Sequence, residues 1–121
     1  MSEAPLLLVV DDDPSVLLLV DVLAEKMGFR VKAVSSGLQA LEHLRDGLQP
    51  AVILLDIMME RIDGLTFMNH LREMPSVENT PVVAMSTAAV LERYGDQLKV
   101  SGTLLKPITN QTLQQALERY R

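Results

Sequence analysis

Five short apolar segments recur along the chain at similar intervals, and this recurrence limits the possible folds more than any other feature of the sequence. The segments lie at residues 6–10, 31–34, 51–55, 81–85 and 103–105. The first and third are continuously apolar rather than alternating, which is typical of parallel strands that helices cover on both faces. The second segment carries more polar residues, so we expect it at an edge of the sheet.

The clearest helical pattern between these segments runs from Pro14 to Met27. Asp13 is a candidate N-cap, Pro14 occupies the first helical position, and Gly28 is suited to end the helix. An apolar stripe at helical spacing is formed by Val16, Leu19, Val20 and Leu23. The sequence therefore predicts an amphipathic first helix.

Four further helical patterns follow, at residues 38–45, from Gly64 to just before Pro75, within 88–98, and at 110–121. In the pattern that follows Gly64, the side chains of Leu65, Met68 and Leu71 share one face, and Asp63 is expected to serve as a turn and cap residue. The pattern within residues 88–98 is expected to give a short or mobile helix, because Gly95 costs about 1 kcal/mol relative to alanine.

Strand and helix alternate five times with short connections, which predicts an α/β fold, a doubly wound five-stranded parallel sheet with right-handed crossovers. The chain has 121 residues, of which 48% are hydrophobic, so it is large enough to bury a core without disulfides. Since no repeat or interdomain linker is visible, we expect residues 1–121 to form one domain.

Composition excludes several classes of function. Because the chain has no cysteine, it offers no thiol nucleophile and no cysteine metal site, and a cytoplasmic location is expected. A formal net charge of −5, from 11 Lys and Arg against 16 Asp and Glu, argues against direct nucleic-acid binding. Apolar runs of at most five residues exclude a membrane span, which needs about 20.

Polar side chains with complementary chemistry follow the predicted strands. Asp11 and Asp12 follow the first strand, Asp56 the third, Ser86 the fourth and Lys106 the fifth. Ligands bind at the carboxyl ends of parallel strands in open α/β sheets, so these residues are expected to meet in one cleft. Carboxylates that share one cleft repel one another, and a hard divalent ion such as Mg²⁺ offsets that repulsion.

A carboxylate surrounded by a metal ion, an ammonium group and a hydroxyl has the chemistry that phosphoryl transfer requires. An aspartate in such a site is able to act as the nucleophile and form an acyl phosphate. The alternative is that the three consecutive aspartates at residues 11–13 only cap the following helix and interact with its dipole.

The motifs LVVDDDP at residues 8–14, LLDIMM at 54–59, MS at 85–86 and LKP at 105–107 resemble the receiver domain of two-component response regulators. The resemblance covers essentially the whole chain. It implies a flavodoxin-like (βα)5 fold with strand order 2-1-3-4-5. It also implies Mg²⁺-dependent transfer of a phosphoryl group from the phosphohistidine of a sensor histidine kinase, or of a histidine phosphotransfer protein, to this chain.

The resemblance assigns roles to individual residues. It makes Asp56 the phosphoacceptor and implies that Mg²⁺ is held by Asp11, Asp12, Asp56 and the main-chain carbonyl of Met58. Ser86 matches the hydroxyl residue that turns toward the phosphoryl group.

Lys106 matches the lysine that pairs with the phosphoryl group, and the peptide bond between this lysine and Pro107 is cis in many relatives. The implied function is that of a signalling domain that switches partner interactions and assists its own phosphorylation and dephosphorylation, rather than that of an enzyme.

Three residues depart from the pattern of the family. Glu60 stands where proline is usual, which adds a negative charge near the site and is expected to loosen the following loop. Thr87 replaces a small residue and is expected to restrict the access of a donor or of water. Thr103 replaces an aromatic residue, so we expect the usual aromatic coupling to partners to be absent or replaced.

Two alternative functions remain open at this stage. The first is a receiver that binds partners without being phosphorylated. The second is a haloacid-dehalogenase-like phosphatase, in which Asp11 and Asp13 would form the Asp-x-Asp motif and Asp11 would be the nucleophile. Such phosphatases need further acidic metal ligands after the lysine, where this chain has only Glu118.

Overall fold

A computed structural model describes residues 3–58 and 64–121 and shows five parallel strands in one sheet. The strands are β1 (Leu6–Val10), β2 (Arg30–Val34), β3 (Val52–Asp56), β4 (Val82–Ser86) and β5 (Gly102–Leu105). Their order in the sheet is β2-β1-β3-β4-β5, which confirms the predicted doubly wound fold and the edge position of the second strand. Two residues with predicted roles, Glu60 and Asp63, lie outside the described residues.

Five helices connect and follow the strands: α1 (Pro14–Lys26), α2 (Gly37–Arg45), α3 (Gly64–Arg72), α4 (Ala88–Leu98) and α5 (Asn110–Leu117), with a short 3-10 turn over Glu118–Tyr120. Successive strand residues point to opposite faces of the sheet, so each face has its own core. One core packs beneath α2, α3 and α4, and the other beneath α1 and α5. No helix in the described part of the chain is long and apolar enough to cross a membrane.

The first helix begins and ends as the sequence predicts. The Asp13 side chain accepts a hydrogen bond of 2.9 Å from the main-chain N–H of Ser15, and Pro14 occupies the first turn. Beyond the end of α1, Gly28 adopts a φ of +99°, a conformation that glycine reaches without steric cost. The three aspartates lie between the end of β1 and the start of α1, and therefore at the carboxyl edge of the sheet.

Two helices bury faces that differ slightly from the prediction. Leu19 is exposed on α1, whereas Val20 and Ala24 are fully buried. Leu65 is also exposed, and the buried face of α3 contains Phe67 in its place. The reason is the same in both helices. The apolar residues extend around more of the helix surface than the face that packs on the sheet, so their spacing alone does not show which of them lie at the centre of the buried face.

The fourth helix was expected to be short or mobile. It is not short, because α4 extends over 11 residues, and its mobility stays a prediction. Its Leu98 is buried, and Val90 and Leu91 pack against the core beneath α2, α3 and α4. Burying a leucine stabilises by about 1.5–3 kcal/mol, which exceeds the cost of about 1 kcal/mol for one internal glycine.

Candidate functional site

The register of neighbouring strands brings two aspartates together. Val10 of β1 pairs with Leu55 of β3, so the residues that follow them, Asp11 and Asp56, lie side by side at the carboxyl edge. Carboxylate oxygens of Asp11, Asp12 and Asp56 all lie within 4.8 Å of one another. Asp11 and Asp56 are buried and Asp12 is exposed, so the cluster opens to solvent on the side of Asp12.

Lys106 reaches this acidic cluster from the end of β5. Its Nζ atom lies 3.0 Å from Oδ2 of Asp11 and 3.5 Å from Oδ2 of Asp56. The main-chain N–H of Lys106 donates to the carbonyl of Ser86, and the Lys106-Pro107 peptide bond is cis. One ammonium group therefore contacts two buried carboxylates from the neighbouring strands β1 and β3.

Main-chain N–H groups hold the two buried carboxylates from the other side. Oδ1 of Asp11 accepts from the N–H of Asp13 at 2.9 Å, and Oδ1 of Asp56 accepts from the N–H of Met58 at 3.0 Å. Both contacts join a side chain to the N–H two residues later, which is an Asx turn. Neither donor was predicted from the sequence, although the preference of aspartate for such turns is a signal for them.

Burial and neighbouring charges set the protonation of the site in opposite directions. Burial raises the pKa of Asp56 and Asp11 adds to this effect, while the N–H of Met58 and the ammonium of Lys106 act against it. Burial alone would lower the pKa of Lys106, but its contacts with Asp11 and Asp56 outweigh burial and raise it. The lysine therefore stays charged, and the cluster favours any further cation that reduces the repulsion between its carboxylates.

Ser86 and Thr87 lie beside the cluster at the end of β4. Met85 of β4 pairs with Asp56, the last residue of β3. The next residue, Ser86, therefore lies just beyond the end of β3. The Ser86 side chain is buried. Thr87 is exposed and occupies the N-cap position of α4, but its side chain makes no capping hydrogen bond.

The donor set suits a hard divalent cation. The cluster supplies only carboxylate oxygens, the ligands that Mg²⁺ prefers, and its exposed side leaves room for the water molecules that Mg²⁺ retains. The main chain of Met58 lies next to the cluster through its hydrogen bond to Asp56, while its side chain points to solvent. A contribution of the Met58 carbonyl to the metal stays a prediction.

Comparison with known proteins identifies the family. The model of the response regulator receiver domain matches residues 7–118. The probable C4-dicarboxylate response regulator DctR of Halalkalibacterium halodurans is 37% identical over 128 residues, covering 99% of this chain and 54% of the relative. The histidine-protein kinase BarA of Escherichia coli is 33% identical over 117 residues, covering 93% of this chain and 12% of the relative. The chain thus spans about half or less of these relatives.

Solved structures show the same fold. The chemotaxis response regulator CheY4 of Vibrio cholerae has a TM-score of 0.88 and 26% identity, with 99% of this chain and 100% of that chain covered. The receiver domain of the sensor histidine kinase PA1611 of Pseudomonas aeruginosa, which has a magnesium ion in its active-site cleft, has a TM-score of 0.86 and 24% identity, with 97% of both chains covered. The chain belongs to the family of response regulator receiver domains.

Proposed function

We propose that this chain accepts a phosphoryl group on the carboxylate of Asp56, with Mg²⁺ as cofactor, from the phosphohistidine of a sensor histidine kinase or a histidine phosphotransfer protein. The observation that carries the proposal is the pairing of a buried Asp56 carboxylate with the ammonium of Lys106 at 3.5 Å inside a cluster of three carboxylates. Both kinds of group that phosphoryl transfer needs, a nucleophile and fixed positive charge, meet there.

The proposed metal ligands are the carboxylates of Asp11, Asp12 and Asp56 and the main-chain carbonyl of Met58. Mg²⁺ bound there would neutralise negative charge on the transferred oxygens. The magnesium ion in the cleft of the PA1611 receiver domain, which has the same fold, supports this assignment.

In the proposed reaction an oxygen of Asp56 attacks the phosphorus atom of the donor. A new O–P bond forms and the P–N bond of the phosphohistidine breaks, so the leaving imidazole nitrogen retains the electron pair. The ammonium of Lys106 already lies beside Asp56 and pairs with the incoming negative charge. The hydroxyl of Ser86 donates to a phosphoryl oxygen, and hydrolysis of the acyl phosphate by water returns the domain to its starting state.

Neither alternative from the sequence is favoured. A phosphatase with Asp11 as nucleophile needs further acidic metal ligands after the lysine. The one acidic residue beyond Lys106 is Glu118, which follows α5 and does not belong to the acidic cluster. A receiver that works without phosphorylation would have no need of the paired Asp56 and Lys106.

We propose that the whole chain, residues 1–121, is one signalling domain whose phosphorylation changes its contacts with partners. Its curated relatives include histidine kinases and response regulators, which supports such partners.

Thr103 is exposed on β5, so the change on phosphorylation reaches partners without an aromatic side chain at this position. NMR comparison of Asp56→Asn with the phosphorylated wild type tests this, and perturbations confined to Thr103 and residues 88–98 would contradict it. A cytoplasmic location stays a prediction.

The direct test is the intact mass after incubation with acetyl phosphate and Mg²⁺. We expect the wild type to gain one phosphoryl group, and we expect no gain for Asp56→Asn or for the wild type with a chelator. A wild type that remains folded by circular dichroism and gains no phosphoryl group would contradict the proposal. Gain of the group by Asp56→Asn would place the acceptor elsewhere.

A further inference from the structure

Gly64, at the start of α3, lies against the residue that follows the proposed phosphoacceptor. A Cβ atom added to Gly64 would lie 2.8 Å from Cβ and 2.9 Å from Cγ2 of Ile57, and 3.1 Å from its Cα. Side-chain carbon atoms do not approach this closely, so position 64 has space for hydrogen only. Close approach to Ile57 therefore accounts for the need for glycine at this position.

Neither side of this contact is free to move. The Ile57 main chain is held by two hydrogen bonds: its N–H donates to the carbonyl of Met85 at 3.2 Å, and its carbonyl accepts from the N–H of Gly64 at 3.3 Å. Its side chain is buried. On the other side, α3 is fixed by the buried side chains of Phe67 and Leu71. A methyl group between Gly64 and Ile57 would therefore displace main chain rather than the end of a flexible side chain.

The displaced main chain belongs to the acidic site. Ile57 stands between Asp56 and Met58, and the N–H of Met58 donates to Oδ1 of Asp56 at 3.0 Å. A shift at Ile57 would change this hydrogen bond and the place of the Met58 carbonyl together. Three other glycines have no such connection: Gly28 and Gly47 would accept a Cβ in open space, and Gly102 would meet Val83 at 3.8 Å.

We infer that Gly64 is a positioning residue for the metal-binding main chain of Met58, which it fixes by allowing α3 to begin in direct contact with Ile57. The inference rests on the proposed function for its chemical meaning, since it assumes that the cluster with Asp56 binds Mg²⁺. Gly64 would thus have a role in the site although it is not one of the three residues of the acidic cluster. Its action passes through Ile57 to the main chain of Met58.

The test compares Gly64→Ala with Gly102→Ala, a matched substitution in the same protein. Two quantities are measured: the NMR shift of the Met58 amide in metal-free protein, and the dissociation constant for Mg²⁺. We expect Gly64→Ala to move the Met58 amide resonance and to weaken Mg²⁺ binding roughly tenfold, as is typical when support for a ligand is lost. Gly102→Ala should change neither. An unchanged Met58 amide and unchanged Mg²⁺ affinity in folded Gly64→Ala would overturn the inference.

A second pair of variants applies if Gly64→Ala does not fold. Ile57→Ala removes most of the side chain that packs on Gly64, and Leu44→Ala removes an equally buried side chain of α2 from the same core. We expect weaker Mg²⁺ binding only for Ile57→Ala, and equal Mg²⁺ affinities for both would overturn the inference. Failure of the proposed function shows separately, as wild type that binds Mg²⁺ but gains no phosphoryl group. If wild type binds no Mg²⁺, the NMR measurement tests the inference alone: a moved Met58 amide resonance in Gly64→Ala would support the positioning role, and an unmoved one would overturn it.

Discussion

Lys106 places one ammonium group between two carboxylates that are themselves close together. The lysine reduces the repulsion between Asp11 and Asp56, and a bound Mg²⁺ would do the same from the side of Asp12. The ammonium group and Mg²⁺ therefore interact with the same carboxylates, and each reduces the favourable electrostatic energy that the other gains there. This competition is a property of the individual charges rather than of the fold.

Replacement of Lys106 by glutamine is expected to strengthen Mg²⁺ binding. Loss of a positive charge 3.0 Å from Asp11 leaves a more negative cluster, and we expect an affinity roughly tenfold higher. Isothermal titration measures this change, with Lys99→Gln at the exposed end of α4 as the control that should leave the affinity unaltered. Weaker binding in Lys106→Gln would mean that the lysine acts mainly by positioning the carboxylates.

Asp56→Asn is expected to raise the free energy of unfolding at pH 7 when a chelator is present. Burial raises the pKa of Asp56, so its protonated form favours the folded state. This contribution is complete below the pKa of the unfolded chain and is lost as the pH rises through the folded pKa. At pH 7 the ionised carboxylate therefore destabilises the fold, and we expect a gain on the order of 1 kcal/mol in the variant.

Urea unfolding at several pH values measures this gain, which should shrink as the pH falls through the range in which Asp56 becomes protonated. Asp46→Asn, at an exposed position after α2, is the control and should change stability by less than about 0.5 kcal/mol. A less stable Asp56→Asn at pH 7 would show that the ion pair with Lys106 outweighs burial.

Thr87→Ala is expected to accelerate phosphoryl gain from acetyl phosphate several-fold, because a smaller side chain beside Ser86 leaves more room for the donor. Stability should change by less than about 0.5 kcal/mol, because the Thr87 side chain makes no capping hydrogen bond. Thr109→Ala is the matched control: its side chain caps α5, so we expect it to lose about 1 kcal/mol. An unchanged rate in Thr87→Ala would mean that this side chain does not limit access.

Helix α4 shows most clearly how far individual elements follow from the sequence. The sequence placed a helix somewhere within residues 88–98 but predicted neither its ends nor its full length, because the pattern gave no measure of how firmly Leu98 and Val90 pack on the core. Strands were easier to predict, since β1 and β3 are buried on both faces and leave a continuous apolar signal. Where packing against a neighbour decides the result, local sequence is not sufficient.

The end of α4 carries the strained conformation of Lys99, with φ 54° and ψ 48°. Residues other than glycine are disfavoured in this left-handed region, because their Cβ atom crowds the main chain. We expect Lys99→Gly to stabilise the fold by about 0.5–1 kcal/mol in urea unfolding. Gly28→Ala is the converse substitution at a φ of +99° and should destabilise by about 1 kcal/mol. A destabilised Lys99→Gly would mean that the lysine side chain contributes more than its strain costs.

At the scale of the whole molecule, the site was predictable because its position depends on topology. The order of the strands places the ends of β1 and β3 side by side, and the residue types at those ends indicate the chemistry. The contacts of Lys106 with both carboxylates and the close approach of Gly64 to Ile57 depend on atomic distances. No pattern of residue types specifies such distances.

Mg²⁺ is expected to stabilise the folded protein at neutral pH. At a concentration 100 times the dissociation constant, binding to the folded state alone adds about 2.7 kcal/mol to the free energy of unfolding. Thermal or urea unfolding with and without Mg²⁺ measures this effect. Asp11→Asn should abolish it, whereas Asp13→Asn should retain it, because Asp13 caps α1 and lies outside the acidic cluster. Equal stabilisation of both variants would contradict the predicted ligands.

The residues of the site lie far apart along the chain, with Asp11 after β1, Asp56 at the end of β3 and Lys106 after β5. Contacts between distant segments form late in folding, since long loops have to close before these contacts stabilise the chain. Lys106 therefore reaches the acidic cluster only after the last strand, β5, has joined the sheet. A partly folded chain without β5 lacks the ammonium group beside Asp56, so under the proposed function we expect a phosphodonor to act on molecules that have completed folding.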